Sequence, residues 1–157
     1  MCKNECTNLK FGIHLNPILT ILIMESLNCL FAGDKSGRLI QYSLETDSGR
    51  VQKDYGNLGI GQIISSAKFK NLAVFGGNNG KIILINGAAK EVVIPSVRVT
   101  NIEIKSLEFC HLKNSLSKLL LVINGINPEN WKYTMLNDLL NITDIANKLK
   151  FKGKWDC

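Results

Sequence analysis

Hydrophobic residues in this chain come in short runs, each ended by a cluster of Gly, Asn, Asp or Ser. Ile18–Met24 is unbroken, rich in isoleucine and preceded by Pro17, the pattern of a fully buried strand. Residues 27–32 form a second such run. Asp34-Lys35-Ser36-Gly37 then reads as a turn, because Asp accepts from backbone amides two residues on and Gly supplies a positive φ. Residues 38–44 alternate, with Ile40, Tyr42 and Leu44 on one face and Leu39, Gln41 and Ser43 on the other. A polar turn over 45–49 leads to a short polar strand over 50–55, suited to a sheet edge where exposed charge blocks further pairing.

The same grammar returns. A strand within 59–69 is centred on Gln62-Ile63-Ile64, and 72–76 is a buried strand. Asn78-Asn79-Gly80 contains Asn-Gly, the strongest short-range hairpin signal. Residues 81–85 form the next strand, and Glu91-Val92-Val93-Ile94 the last of that unit, ended by Pro95. A third, looser copy opens with alternation over Val97, Val99, Ile102, Ile104, Leu107 and Phe109. It continues through a buried run over 116–124 and a longer turn over 126–130. Trp131, Tyr133 and Met135 then alternate with Lys132, Thr134 and Leu136. Gly33 and Gly77 are 44 residues apart, and Gly77 and Gly125 are 48 apart. A period of about 40–45 residues belongs to four-stranded propeller blades. After Leu136 the period changes: Asn137-Asp138 resembles a helix cap, and Leu139, Leu140, Thr143, Ala146 and Leu149 follow at helical spacing. The tail over 148–155 alternates lysine with mostly apolar residues. It reads as a frayed terminus, with an edge strand or an adhesive basic tail as the alternatives.

These units resemble the WD-repeat β-propeller family over about residues 16–136. The likeness lies in the small-residue steps Ala32-Gly33, Gly76-Gly77 and Asn124-Gly125, the Asp/Asn-Gly turns, and the aliphatic third strands. Those strands end in Tyr42-Ser43, Ile85-Asn86 and Tyr133-Thr134 where the family has Trp-Asp. The Gly-His pair that opens family repeats is also absent, since His14 follows Ile13 and His111 follows Cys110. The expected fold is all-β, a partial β-propeller of about three four-stranded antiparallel blades with a short C-terminal helix. The expected division is an N-terminal segment over 1–15, blades over 16–58, 59–96 and 97–136, and a C-terminal helix and basic tail over 137–157. Propellers close with four to eight blades, so three call for completion by further blades or another chain.

Composition narrows the function without naming it. The chain has 157 residues, 45% hydrophobic and 20% charged, the balance of an ordinary globular domain. No apolar run reaches the length of a bilayer span. The polar start Met1-Cys2-Lys3-Asn4-Glu5-Cys6 precedes no signal-peptide core, so the expected location is cytoplasmic, with nuclear as the alternative. The net charge of +6 comes from lysine, with only Arg38, Arg50 and Arg98 as arginines. Together with the abundance of Asn and Ile, this reads as AT-rich coding and a solvated surface rather than selected phosphate contacts.

Candidate chemistry is sparse. Cys2-x-x-x-Cys6 with His14 offers three zinc ligands and nothing completes a fourth, so no metal and no cofactor is assigned. Two isolated histidines supply no nucleophile–base pair, and Gly56-x-x-Gly59-x-Gly61 lacks the spacing of a phosphate loop. No catalytic residue is assigned and the chain is read as a non-enzyme. What remains is the resemblance, which implies a non-catalytic protein-interaction scaffold, part of a larger propeller or multiprotein complex. Its contact surface is expected on the turns joining second to third strands (Asp34, Lys35, Ser36, Asn78, Asn79, Asn127, Asn130) and on the blade-joining loops (Tyr55, Asn57, Val97, Arg98). The alternative is an electrostatic binder of RNA or anionic membrane through the lysine-rich rim and tail.

Overall fold

A computed structural model describes residues 13–45, 49–111, 119–124, 132–135 and 152–153 of the chain. Its strands are β1 (Ile18–Met24), β2 (Cys29–Asp34), β3 (Arg38–Ser43), β4 (Val51–Asn57), β5 (Ile63–Phe69), β6 (Leu72–Gly77), β7 (Lys81–Asn86), β8 (Glu91–Arg98), β9 (Ser106–His111), β10 (Leu119–Asn124), β11 (Lys132–Met135) and β12 (Lys152–Gly153). They form three four-stranded sheets ordered β1-β2-β3-β4, β5-β6-β7-β8 and β9-β10-β11-β12, each pair antiparallel. The first strand of each sheet lies beside the first strand of the next, β1 against β5 and β5 against β9. This is the arrangement of propeller blades around an axis, and the described strands do not close it into a ring. No α-helix occurs among the described residues; the expected helix over 137–149 lies outside them.

The tail departs from its expected frayed state. Lys152 and Gly153 pair with Tyr133 and Lys132, so the fourth strand of the third sheet comes from the far end of the chain. The edge-strand alternative is the one that holds at Lys152 and Gly153, but two residues carry too little periodicity to name the strand they join.

Burial explains the run lengths. β2 is buried at every position and β3 at all but its first, because each is covered on both faces. One core lies between the first two blades and contains Met24, Phe31, Leu39, Ile60, Ile63, Phe75 and Ile85. A second lies between the next two, built from Val74, Ile82, Ile94, Ile104, Leu107 and Ile123. β4 is the polar, mostly open outer strand that such a stack requires. β8 runs on through Pro95 to Arg98 instead of ending at Ile94. As the outermost strand it needs no amide at Pro95, and the register against β7 shifts between the Ile82 and Leu84 pairs.

The register also corrects the repeat alignment. Thr20 pairs with Gly33 and Ser65 with Gly76, while Asp34 and Gly77 each accept the turn-closing amide, from Gly37 and Gly80. The structural counterpart of Gly33 is therefore Gly76, not Gly77, and the counterpart of Asp34 is Gly77. A side chain at Gly33 would meet Ile63 Cγ2 at 2.8 Å, and one at Gly76 would meet Ile104 Cγ2 at 2.7 Å, so the same step of each blade admits the next blade's inner strand.

Two equivalent hydroxyls fasten these seams. Thr20 Oγ1 donates to the Ile63 carbonyl at 2.9 Å, and Ser65 Oγ donates to the Ile104 carbonyl at 2.6 Å, both buried. Thr20→Val is expected to lower stability by about 1–2 kcal/mol, read as a drop in the urea midpoint at unchanged slope. A changed slope would instead mean that the blades separate independently.

Candidate functional site: the turn-and-loop rim

The second-to-third-strand turns and the loops joining consecutive blades meet on one rim. In the first blade, Asn57 Nδ2 donates to the Ser36 carbonyl at 2.5 Å and the Leu58 amide donates to the Gly37 carbonyl at 3.0 Å. In the second, Arg98 Nη1 donates to the Asn79 carbonyl at 2.9 Å, and the Val99 and Thr100 amides donate to the Gly80 carbonyl. Just past the β5–β6 ladder, Asn78 Oδ1 accepts from the Gln62 amide and the Asn78 amide donates to the Gln62 carbonyl, both at 3.0 Å. Asn79 Nδ2 and Lys81 Nζ both reach the Gly59 carbonyl. Each turn is thus tied to the end of an outer strand or to the loop beside it by side-chain amides and cations, which supply donors and acceptors where the turn and loop backbone has no ladder partner.

The rim brings Ser36 to Asn57 and Asn79 to Arg98, with Lys35, Ser36, Asn57 and Arg98 exposed. Asn57 and Arg98 are the last residues of β4 and β8 rather than loop residues, and three more of the expected contact residues are placed differently. Asp34 is fully buried and presents nothing to a partner. Tyr55 lies in β4 rather than in a loop, half-buried, with its hydroxyl donating to Gln41 Oε1 at 2.9 Å. Val97 lies within β8, and the true connections are 58–62 and 99–105. Asn127 and Asn130 lie outside the described residues.

Asp34 organises the first turn from inside. Its Oδ1 accepts from the Ser36 amide (2.8 Å), the Ser36 hydroxyl (2.6 Å) and the Arg38 amide (3.1 Å), and its Oδ2 accepts from His14 Nδ1 (2.9 Å). Burial alone would push this carboxyl up, but the four donors outweigh it and hold the group below the usual carboxylate range. Arg38 reaches outward: it pairs with Asp54 at 2.5 Å and donates to the Ile13 carbonyl at 3.0 Å, which fastens the residues before β1 to the turn. The hydrogen bonds from Arg38 hold the Asp54 carboxyl low in turn. Sequence reasoning weighs His14 only as a third zinc ligand and misses its bond to Asp34, since twenty residues separate the two and no dipeptide marks the pair.

Gln41 was also missed. Alternation puts it on one face with Leu39 and Ser43, and it is only 1% exposed. Its Nε2 donates to the Gly87 carbonyl and to Gln52 Oε1, each at 3.0 Å, so it ties the first blade to the far turn of the second. Burial raises the pKa of the Tyr55 hydroxyl, keeping it a neutral donor in this network.

Beside the rim, Gln62, Ile64, Asn78, Glu103 and Lys105 line an open hollow of about 290 Å³. The cations Lys35, Lys81, Arg98 and Lys105 surround the turns, and Lys105 lies 3.6 Å from Glu103. Among the described residues no three His, Cys, Asp or Glu side chains converge as a metal site, and no helix is long and apolar enough to cross a membrane. Cys2 and Cys6 lie outside the described residues.

No protein-family model matches the chain, and no curated protein matches it in sequence. Solved structures do match in shape. The computationally designed Ika4 protein superposes with a TM-score of 0.61 at 15% identity, over 81% of this chain and 71% of that one. Sqt1 of Saccharomyces cerevisiae gives 0.59 at 14% identity, over 69% of this chain and 28% of Sqt1. The WD40 repeats of RRP9 give 0.56 at 10% identity, over 72% of this chain and 36% of theirs. The chain spans about a third of the length of these two natural structures. The fold is thus one of antiparallel four-stranded blades similar to those of WD40 propellers.

Proposed function

We propose that this chain is a WD-repeat-like, non-catalytic protein-interaction scaffold, part of a larger propeller or a multiprotein complex in the cytoplasm. Its contact surface is the rim built by Lys35, Ser36, Asn57, Asn78, Asn79 and Arg98. The observation that carries this reading is the lacing of both turns to the outer-strand ends and the blade-joining loop by Asn57, Asn78, Asn79 and Arg98. Such a rim is preorganised, so a partner meets ordered polar groups and bears little of the ordering cost that weakens binding by mobile loops. WD40 likeness in shape favours the same role.

The rim cations also suit a polyanion, and salt separates the two readings. Retention on polyuridine RNA and on phosphatidylserine vesicles is expected to be negligible at about 0.15 M salt. Saturable binding there, falling steeply with the logarithm of salt concentration, would overturn the scaffold reading in favour of electrostatic binding.

A further inference from the structure

The seams between blades repeat one bond, and the series does not end with the second seam. Thr20 lies opposite Gly33, Ser65 opposite Gly76 and Ser106 opposite Asn124, so Ser106 holds in β9 the place that Thr20 and Ser65 hold in β1 and β5. Thr20 and Ser65 each donate into the carbonyl of the following blade. Ser106 is exposed, and its hydroxyl makes no hydrogen bond to a described residue.

The opposite side of each inner strand receives the preceding blade. Leu107 and Phe109 of β9 pack into the core beside β5, and Lys68 of β5 donates to the Ile23 carbonyl of β1 at 2.7 Å. The matching row on β1 is Leu19, Ile21 and Ile23, which are 43%, 53% and 46% exposed. Farther out on the same face, Leu30, Ala32, Ile40 and Tyr42 are already buried. The open part is therefore a strip of aliphatic side chains along β1, and exposed aliphatic rows of this kind mark interfaces.

We propose that a second copy of this chain fills both ends, seating the open side of its β9 on the β1 strip of the first, head to tail. The Ser106 hydroxyl would donate to the carbonyl of the partner's Ile18, which holds the place of Ile63 and Ile104 in the series. Over these 157 residues each copy presents one open donor edge and one open acceptor edge, so a two-fold pair of them satisfies all four. The pair sets six sheets about one axis, within the four to eight of closed propellers. Glu108, exposed and two residues beyond Ser106 on the same side of β9, then comes to lie over the partner's Ile21. Its carboxylate is the one poorly matched group in the seam, and it provides a handle. This pairing is independent of the rim's role, and its failure would leave that role standing.

Sedimentation equilibrium of the 157-residue chain is expected to give twice 17.4 kDa. Ile21→Glu sets two carboxylates together and is expected to raise the dissociation constant on the order of a hundredfold. Adding Glu108→Lys to that variant is expected to recover most of the loss, and Glu108→Leu alone to tighten the pair roughly tenfold. Because Ile21 and Glu108 are both exposed within the chain, far-UV dichroism of the variants should match the wild type, and their thermal midpoints should differ from it only by the concentration-dependent share that pairing contributes. A wild-type mass that stays at 17.4 kDa, assemblies larger than a pair, or a pair indifferent to Ile21→Glu would each overturn the proposal. So would a pair that Ile21→Glu breaks and Glu108→Lys does not restore.

Discussion

Asp34→Ala is expected to destabilise the fold by about 3–5 kcal/mol, a large fraction of what holds a domain of this size together. The carboxylate is fully buried and accepts four hydrogen bonds, and alanine leaves His14 Nδ1, the Ser36 amide and hydroxyl, and the Arg38 amide facing a void. Unsatisfied buried donors cost more than the net worth of the bonds they made. The linkage to pH has a definite sign. Because the folded carboxyl is held below its unfolded value, its contribution is complete above about pH 4 and is lost as the pH falls through the lower folded value. The wild-type thermal midpoint should therefore fall on acidification below about pH 4 more steeply than that of Asp34→Ala, which has already lost the term. Equal acid slopes for the two proteins would mean that the carboxylate does not anchor the turn. The exposed Arg38–Asp54 pair provides the contrast: Asp54→Ala should cost no more than about 1 kcal/mol.

Gly77→Ala is expected to be as damaging by a different route, at about 3 kcal/mol or more. A Cβ at Gly77 would fall on the Ile60 carbonyl, with the Ile60 Cβ 3.1 Å away. Ile60 is fully buried and belongs to the core between the first two blades, so its backbone cannot give way without opening that seam. Gly77→Ala should therefore lower the thermal midpoint strongly and expose the first interblade core, seen as dye binding below the main transition. Gly56→Ala makes the control, since nothing lies within 4 Å of a Cβ there and only its φ of +67° opposes the change. If the two alanines cost the same, steric exclusion at Gly77 is not what the glycine serves.

The blade grammar was legible because it is local. β2, β3, β6 and β7 follow from apolar runs punctuated by Asp34 to Gly37 and by Asn78 to Gly80, where turn chemistry and strand pattern agree. What failed was non-local. The doublet Gly76-Gly77 offers two alignments with Gly33, and only backbone pairing with Ser65 chooses between them. Period-two alternation sorts Gln41 with Leu39 and Ser43 but carries no sign that β3 is covered on both faces, so its burial is not legible locally. Asp34 was read as a turn residue on display, and its turn role is real. Its burial depends on His14, brought from before β1, and on Arg38 holding the Ile13 carbonyl. The rim is partly legible: turn and loop composition singles out Asn57, Asn78, Asn79 and Arg98, but Gln62 emerges as the partner of Asn78 only through the β5–β6 register, and Lys81 joins Asn79 at the Gly59 carbonyl only in the folded chain.

The central claim is that the rim, and not the outer strands, is the surface through which this chain engages another protein. Site-specific photo-crosslinking in cells tests it, with a crosslinking amino acid placed in turn at Lys35, Arg98 and Val92. Lys35 and Arg98 are exposed on the rim, and Val92 is exposed at the opposite end of β8. The account requires one and the same protein to be captured from positions 35 and 98 and none from position 92. Capture from position 92 alone, or of nucleic acid from the rim positions, would contradict it.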